Sequence, residues 1–137
     1  QPLANLAKKV RGEIKYHTMH ANIWISQLGK ATDESNIRMQ AALNECYPLA
    51  LGIFEKSDYE SVLIDSGVFD GEELLQKVWT DIVSEIIEKS NLKMPDINEA
   101  NLSTLAFGGR KGYHTEFLQP LLDEMTEVYS IDPAAEW

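Results

Sequence analysis

The sequence contains a single cysteine, Cys46, so no internal disulfide can form and no zinc site can be built from thiolates. A lone thiol suits a reducing compartment, and the expectation is a cytoplasmic protein. Uninterrupted apolar runs are only a few residues long, too short for a helix that spans a membrane. Basic residues are scarce: 12 Lys and Arg stand against 22 Asp and Glu, a formal net charge of −10. That balance, with a pI near 4.6, disfavours duplex nucleic acid or an anionic membrane as the main partner. The chain opens on Gln1-Pro2 without a Met, and no basic-then-apolar leader follows. It therefore reads as a processed or truncated piece. Period-2 alternation long enough for a sheet is also missing.

What the sequence does carry is helical periodicity within one globular domain, 137 residues long and 44% hydrophobic. Ala7, Ile14, Ala21 and Leu28 form one seven-residue series. Leu3, Val10, His17 and Trp24 form a second, offset by three, and together they trace a bundle helix. The spacing predicts about 27 helical residues, roughly 40 Å, stopped by Gly29 as a C′ glycine. A second helix is expected from Thr32 or Asp33 to about Glu55. It would turn Ile37, Ala41, Ala42, Cys46, Leu49 and Ile53 inward, with a kink at Pro48. Residues 56–69 read as a loop with one helical turn.

A third helix is expected after Asp70-Gly71-Glu72-Glu73, which has capping-box spacing, with Leu74, Leu75, Val78, Trp79, Ile82, Val83 and Ile86 on its apolar face. Residues 91–112 look irregular. A fourth helix runs from about Thr115 to Tyr129, perturbed near Pro120, with Leu118, Leu121, Leu122, Met125 and Tyr129 inward. Trp24, Trp79 and Trp137 suggest core and interface packing. The fold class is all-α: an antiparallel bundle of about four helices, incomplete, in a single domain over 1–137. Charge is uneven along it. Residues 1–30 hold five cations and one carboxylate, a net +4, and the remainder carries −14. Such a segment faces a partner or is simply a solvated face.

The first chemistry to test in a helical bundle is a carboxylate-bridged di-metal centre. It needs a Glu-x-x-His pair on each of two helices, because residues three apart share a face and can ligate together. The histidines here are His17, His20 and His114, and the residues three before them are Ile14, His17 and Lys111. None is Glu, so no metal site is expected in this chain. His17 is read as a residue in or beside the core, satisfied by Glu13 or a backbone carbonyl. Cys46 lies on the inward side of its helix, where a thiol acts as a small hydrophobe, and no nucleophile elbow surrounds any serine. No catalytic or cofactor-binding residue is assigned. The most unusual string is Gly108-Gly109-Arg110-Lys111-Gly112-Tyr113-His114-Thr115-Glu116. Its glycines and cations precede a helix start, which makes Arg110, Lys111 and His114 candidates for contact with a partner or an anion, or else a plain turn.

That string, continued through Phe117-Leu118, Pro120, Leu122 and Glu124-Met125, resembles the C-terminal signature of the C subunits of phenylacetyl-CoA 1,2-epoxidase complexes. Glu13-Ile14-Lys15-Tyr16-His17, Trp24, Leu28-Gly29 and Ile97-Asn98-Glu99-Ala100 are similar as well. The resemblance spans essentially the whole chain but only the C-terminal part of the longer family members. It implies a ferritin-like bundle and a metal-free structural subunit. The di-iron centre and the phenylacetyl-CoA would belong to a sister subunit, which inserts oxygen into the aromatic ring with electrons from a separate reductase. Self-association through the bundle is expected too, since the first helix has an apolar stripe that needs covering. The other readings are a ferritin-like di-iron oxidase in its own right and a generic helical adaptor.

Overall fold

The computed structural model describes residues 2–97 and 107–136. Five α-helices and two short 3-10 turns, with no strand, make up the regular structure among these residues. Helix α1 is Pro2–Lys30, α2 is Asp33–Ala50, α3 is Glu60–Asp65, α4 is Glu72–Lys89 and α5 is Leu118–Ile131. The all-α expectation holds. Among the described residues few side chains are withdrawn from solvent.

Packing is concentrated at a corner where the end of α1, the start of α2 and the end of α4 meet. Pro2 sits at the first helical position of α1, where a missing N–H costs nothing. Thr32 caps α2: its Oγ1 accepts from Ser35 N at 3.1 Å, and Ser35 Oγ accepts from Thr32 N at 3.0 Å. Ser35 Oγ also donates to Leu28 O at 2.7 Å, tying α2 back onto α1. Helix α4 closes in a Schellman motif. Asn91, at φ 58°, takes the left-handed position. Its N–H donates to Glu88 O, and Leu92 N–H donates to Ile87 O at 3.1 Å. The two apolar residues this brings together, Ile87 and Leu92, are both buried. Polar side chains of α2 then read the exposed backbone of that motif. Asn36 Nδ2 donates to Gly29 O at 2.7 Å and to Asn91 O at 2.9 Å. Gln40 accepts from Lys93 N at 2.8 Å and donates to Lys93 O at 2.9 Å.

Gly29 differs from its expected role. It lies inside α1 and is buried, and a Cβ there would stand 2.2 Å from Ser90 O. Close approach of α4, rather than a positive φ, is what this glycine allows. The aromatic part of the core lies further along α2. Tyr47 stacks on Trp79 with ring centroids 5.7 Å apart, and Phe54 tilts against the same indole at 5.3 Å. Helix α2 runs through Pro48 and tightens into a 3-10 turn over Leu51–Phe54.

Several residues expected inside are on the surface. Every residue from Pro2 to Ala21 is exposed, His17 among them, and its ring meets Tyr16 edge-on at 5.8 Å instead of bonding Glu13. On α2, Ile37, Ala41, Ala42 and Cys46 are exposed, because the helix turns its Asn36, Gln40, Leu43 and Tyr47 side inward, and Ile53 is exposed in the 3-10 turn that follows. On α4, Leu74, Leu75, Val78 and Ile82 are exposed. On α5 only Leu118 is even half-buried, and Leu121, Leu122, Met125 and Tyr129 face solvent. The apolar stripes exist as expected, but among the described residues few of them have an element to pack on. Trp137 and Asn98-Glu99-Ala100 lie outside the described residues.

Candidate functional site

The glycine-rich string forms a hook. Lys111 N–H and Tyr113 N–H both donate to Gly108 O, at 2.8 and 3.0 Å, folding 108–113 into a compact turn. Gly108 and Gly112 stand at φ 93° and 86°, left-handed values that a side chain resists. A Cβ on Gly108 would also press on the Tyr113 ring at 3.0 Å.

The hook docks on a corner of carboxylates. Arg110 Nη2 pairs with Glu72 Oε1 at 2.5 Å and reaches Ile53 O at 3.3 Å. Gly108 N–H donates to Glu55 Oε2 at 2.8 Å, and Lys111 Nζ stands 3.5 Å from Asp58 Oδ1. The hydrogen bond to Glu72 raises the Arg110 pKa above its ordinary value despite opposing desolvation, so the guanidinium stays charged at any working pH. Glu72 is also the first residue of α4. Its N–H donates to Glu60 Oε1 at 3.0 Å, so α4 is capped from α3, twelve residues upstream. This replaces the expected capping box: the residue before α4 is Gly71, at φ 98°, and Asp70 contributes no cap. Glu60 is buried, and its Oε2 has no hydrogen-bond partner among the described residues.

Arg110 and Lys111 are thus each paired with a carboxylate of their own chain, though both stay exposed. A cation already matched to a carboxylate, among further carboxylates, offers little to an incoming anion. His114 is placed differently. It is exposed and lines a shallow groove of about 420 Å³ with Phe107, Tyr113, Phe117, Leu118 and Leu121. The sequence did not reveal Glu55, Asp58 and Glu72 as the hook's receptor. Arg110 and Glu72 are 38 residues apart, and no local pattern links them.

No group of three or more His, Cys, Asp or Glu among the described residues is disposed to hold a metal ion. The hook's carboxylates are engaged with cations and backbone N–H groups. His17 and His20 lie in a row of rings on α1, with Tyr16 stacked on His20 and His20 edge-on to Trp24, both at 6.2 Å. Ile14 stands where a bridging glutamate would be needed. His17, His20 and His114 therefore do not supply the Glu-x-x-His pairs that a di-iron centre needs. No helix among the described residues is long and apolar enough to cross a membrane.

The family model described as phenylacetic acid catabolic protein matches residues 1–137. The chain belongs to that family. The family is ferritin-like, which agrees with the all-helical architecture. Among curated proteins, this phenylacetic acid catabolic family member is 30% identical over 135 residues to the C subunit of the 1,2-phenylacetyl-CoA epoxidase of Escherichia coli strain K12. The alignment covers 98% of this chain and 52% of that protein. The chain therefore spans about half the length of the curated relative it matches.

Proposed function

We propose that this chain is a non-catalytic structural component of a phenylacetyl-CoA epoxidase in aerobic phenylacetate breakdown, working in the cytoplasm. It corresponds to the C-terminal part of a C subunit, and its helices support the subunit that carries the di-iron centre and the thioester substrate. One observation carries the reading: a chain similar to a C subunit exposes apolar faces on α1, α2, α4 and α5 while lacking any Glu-x-x-His pair. Apolar faces of that extent suit a helical partner, and burying them would stabilise both components by mass action. The same open faces support self-association.

Co-expression with the di-iron subunit of such an epoxidase tests this. The two chains are expected to co-elute, with iron in the complex and none in this chain alone. Stoichiometric iron with an oxo-bridged absorption band in the isolated chain would overturn the reading in favour of a di-iron oxidase. Failure to co-elute would leave a helical adaptor outside epoxidation.

A further inference from the structure

Of the Asp and Asn residues in this sequence, only Asp70 is followed by glycine. The pair has a chemistry of its own. An aspartyl carboxyl is open to attack by the amide nitrogen of the next residue, and a glycine there puts no side chain in the way. Structure holds most such sites inert, because a hydrogen-bonded amide must first open locally. Asp65 is held in that way, since Ser66 N–H donates to Val62 O at 3.1 Å. So is Asn91, since Leu92 N–H donates to Ile87 O at 3.1 Å. Neither restraint acts at Asp70. Its carboxylate is exposed and has no hydrogen bond or ion pair among the described residues, and Gly71 N–H has no acceptor among them either. The two residues also line a groove of about 430 Å³ with Ile64, Leu74 and Lys77, which gives water a route in and out.

We propose that Asp70-Gly71 is a site of spontaneous isoaspartate formation, a self-modification that loosens the start of α4. In the first step Gly71 N forms a bond to Asp70 Cγ while the Cγ–OH bond of the neutral carboxyl breaks. The departing hydroxyl takes the amide proton and leaves as water, closing a succinimide ring. In the second step water adds at the main-chain carbonyl carbon of Asp70. That carbon's bond to Gly71 N breaks, and its former carbonyl becomes a free carboxylate. The main chain then runs through Cβ and Cγ, one methylene longer. No oxidant takes part, and nothing in this chemistry requires the di-iron partner.

The longer backbone has little room. Gly71 is packed against α3, where an added Cβ would lie 3.2 Å from Ile64 Cδ1 and 3.4 Å from Glu60 Oε1. Its own O accepts the first bond of α4, from Leu75 N at 3.3 Å. Glu72, one residue on, donates its N–H to Glu60 at 3.0 Å and holds Arg110. A methylene inserted ahead of Gly71 therefore displaces the cap, and with it the ion pair that docks the hook. Asp70 thus couples a slow covalent event to the placement of 108–113.

The test ages the full chain in mildly acidic and neutral buffer beside D70E, whose longer side chain would have to close a larger, slower-forming ring. The Asp70 carboxylate has no partner among the described residues, so D70E should match the wild type by circular dichroism. Isoaspartate is quantified with an isoaspartyl methyltransferase and located by peptide mapping. Asp70 is expected to isomerise at least about tenfold faster than Asp65, through a peptide lighter by one water, and D70E should show none at that position. In the aged wild type the Glu72 and Gly108 amides should lose protection from hydrogen exchange, while aged D70E should keep it. Absence of isoaspartate at Asp70 in the folded chain, or accumulation no faster than at Asp65, overturns the site. Isoaspartate at Asp70 with unchanged exchange at Glu72 and Gly108 overturns the coupling to α4 and the hook.

Discussion

Replacing Gly29 with alanine should destabilise the protein, although alanine in a helix is ordinarily better than glycine. In an unhindered helical position the exchange gains about 1 kcal/mol, because glycine loses more backbone freedom on folding. At Gly29 the added Cβ would lie 2.2 Å from Ser90 O, 3.2 Å from Ser90 C and 3.3 Å from Ser90 Cβ. The nearest atom is backbone. It belongs to the Schellman turn, and Ser90 Oγ is itself fixed by donating to Ile86 O at 2.7 Å, so a rotamer change cannot relieve the contact. The helices must separate by about 1 Å, an overpacking strain of about 3 kcal/mol. Separation also stretches the Asn36 bonds to Gly29 O and Asn91 O, each contributing about 1 kcal/mol. Against the propensity gain, the net loss is about 2–4 kcal/mol.

Gly12 is the control. It lies in the same helix, with nothing within 4 Å of its added Cβ, so Gly12→Ala should stabilise α1 by about 1 kcal/mol. The two substitutions are chemically identical and opposite in sign. Urea and thermal unfolding followed by far-UV circular dichroism should place the midpoints on either side of wild type, about 10 °C apart for a chain of this size. A Gly29→Ala protein as stable as wild type, or more so, would refute the close approach of α1 and α4 on which this corner is built.

Glu60→Ala removes the acceptor that caps α4, and should cost about 1 kcal/mol in urea unfolding; Glu60→Gln keeps an oxygen at that position and should recover most of it. Trp79→Ala deletes the ring between Tyr47 and Phe54, and should cost about 2 kcal/mol, less than for a fully buried tryptophan because the indole is half-exposed. Native Cys46 should react fully with a maleimide in minutes, and a thiol that reacts only after unfolding would contradict the exposed face of α2. Lys89 holds the Glu85 carboxyl below its ordinary pKa, chiefly by hydrogen bonding. The pair's contribution is therefore present above the unfolded pKa and fades as pH falls through the folded one. Because this pair is exposed, its acid loss should vanish in molar salt, as thermal melts at two ionic strengths would show.

The helices were legible from local pattern. A 3/4 apolar spacing closes one face of a 3.6-residue repeat whatever the chain packs against, so α1, α4 and α5 were legible within a few residues of their ends. Thr32 marked the start of α2 because a cap is a local hydrogen bond. The resemblance in Gly108–Met125 led to the family, and the lack of a Glu three before any histidine is likewise a fact of spacing alone. Which faces are covered depends on packing between distant elements. Gly29 looked like a helix stop, and it is a contact point because of Ser90, sixty-one residues away. Asp70 looked like a cap, and the cap comes from Glu60. Arg110, readable as a partner or anion contact or as part of a plain turn, is paired with Glu72, a partner that no local pattern names. Apolar stripes imply a partner surface without naming it, and charged residues find counter-ions through space rather than along the chain. For both, the answer depends on which distant elements the fold brings together.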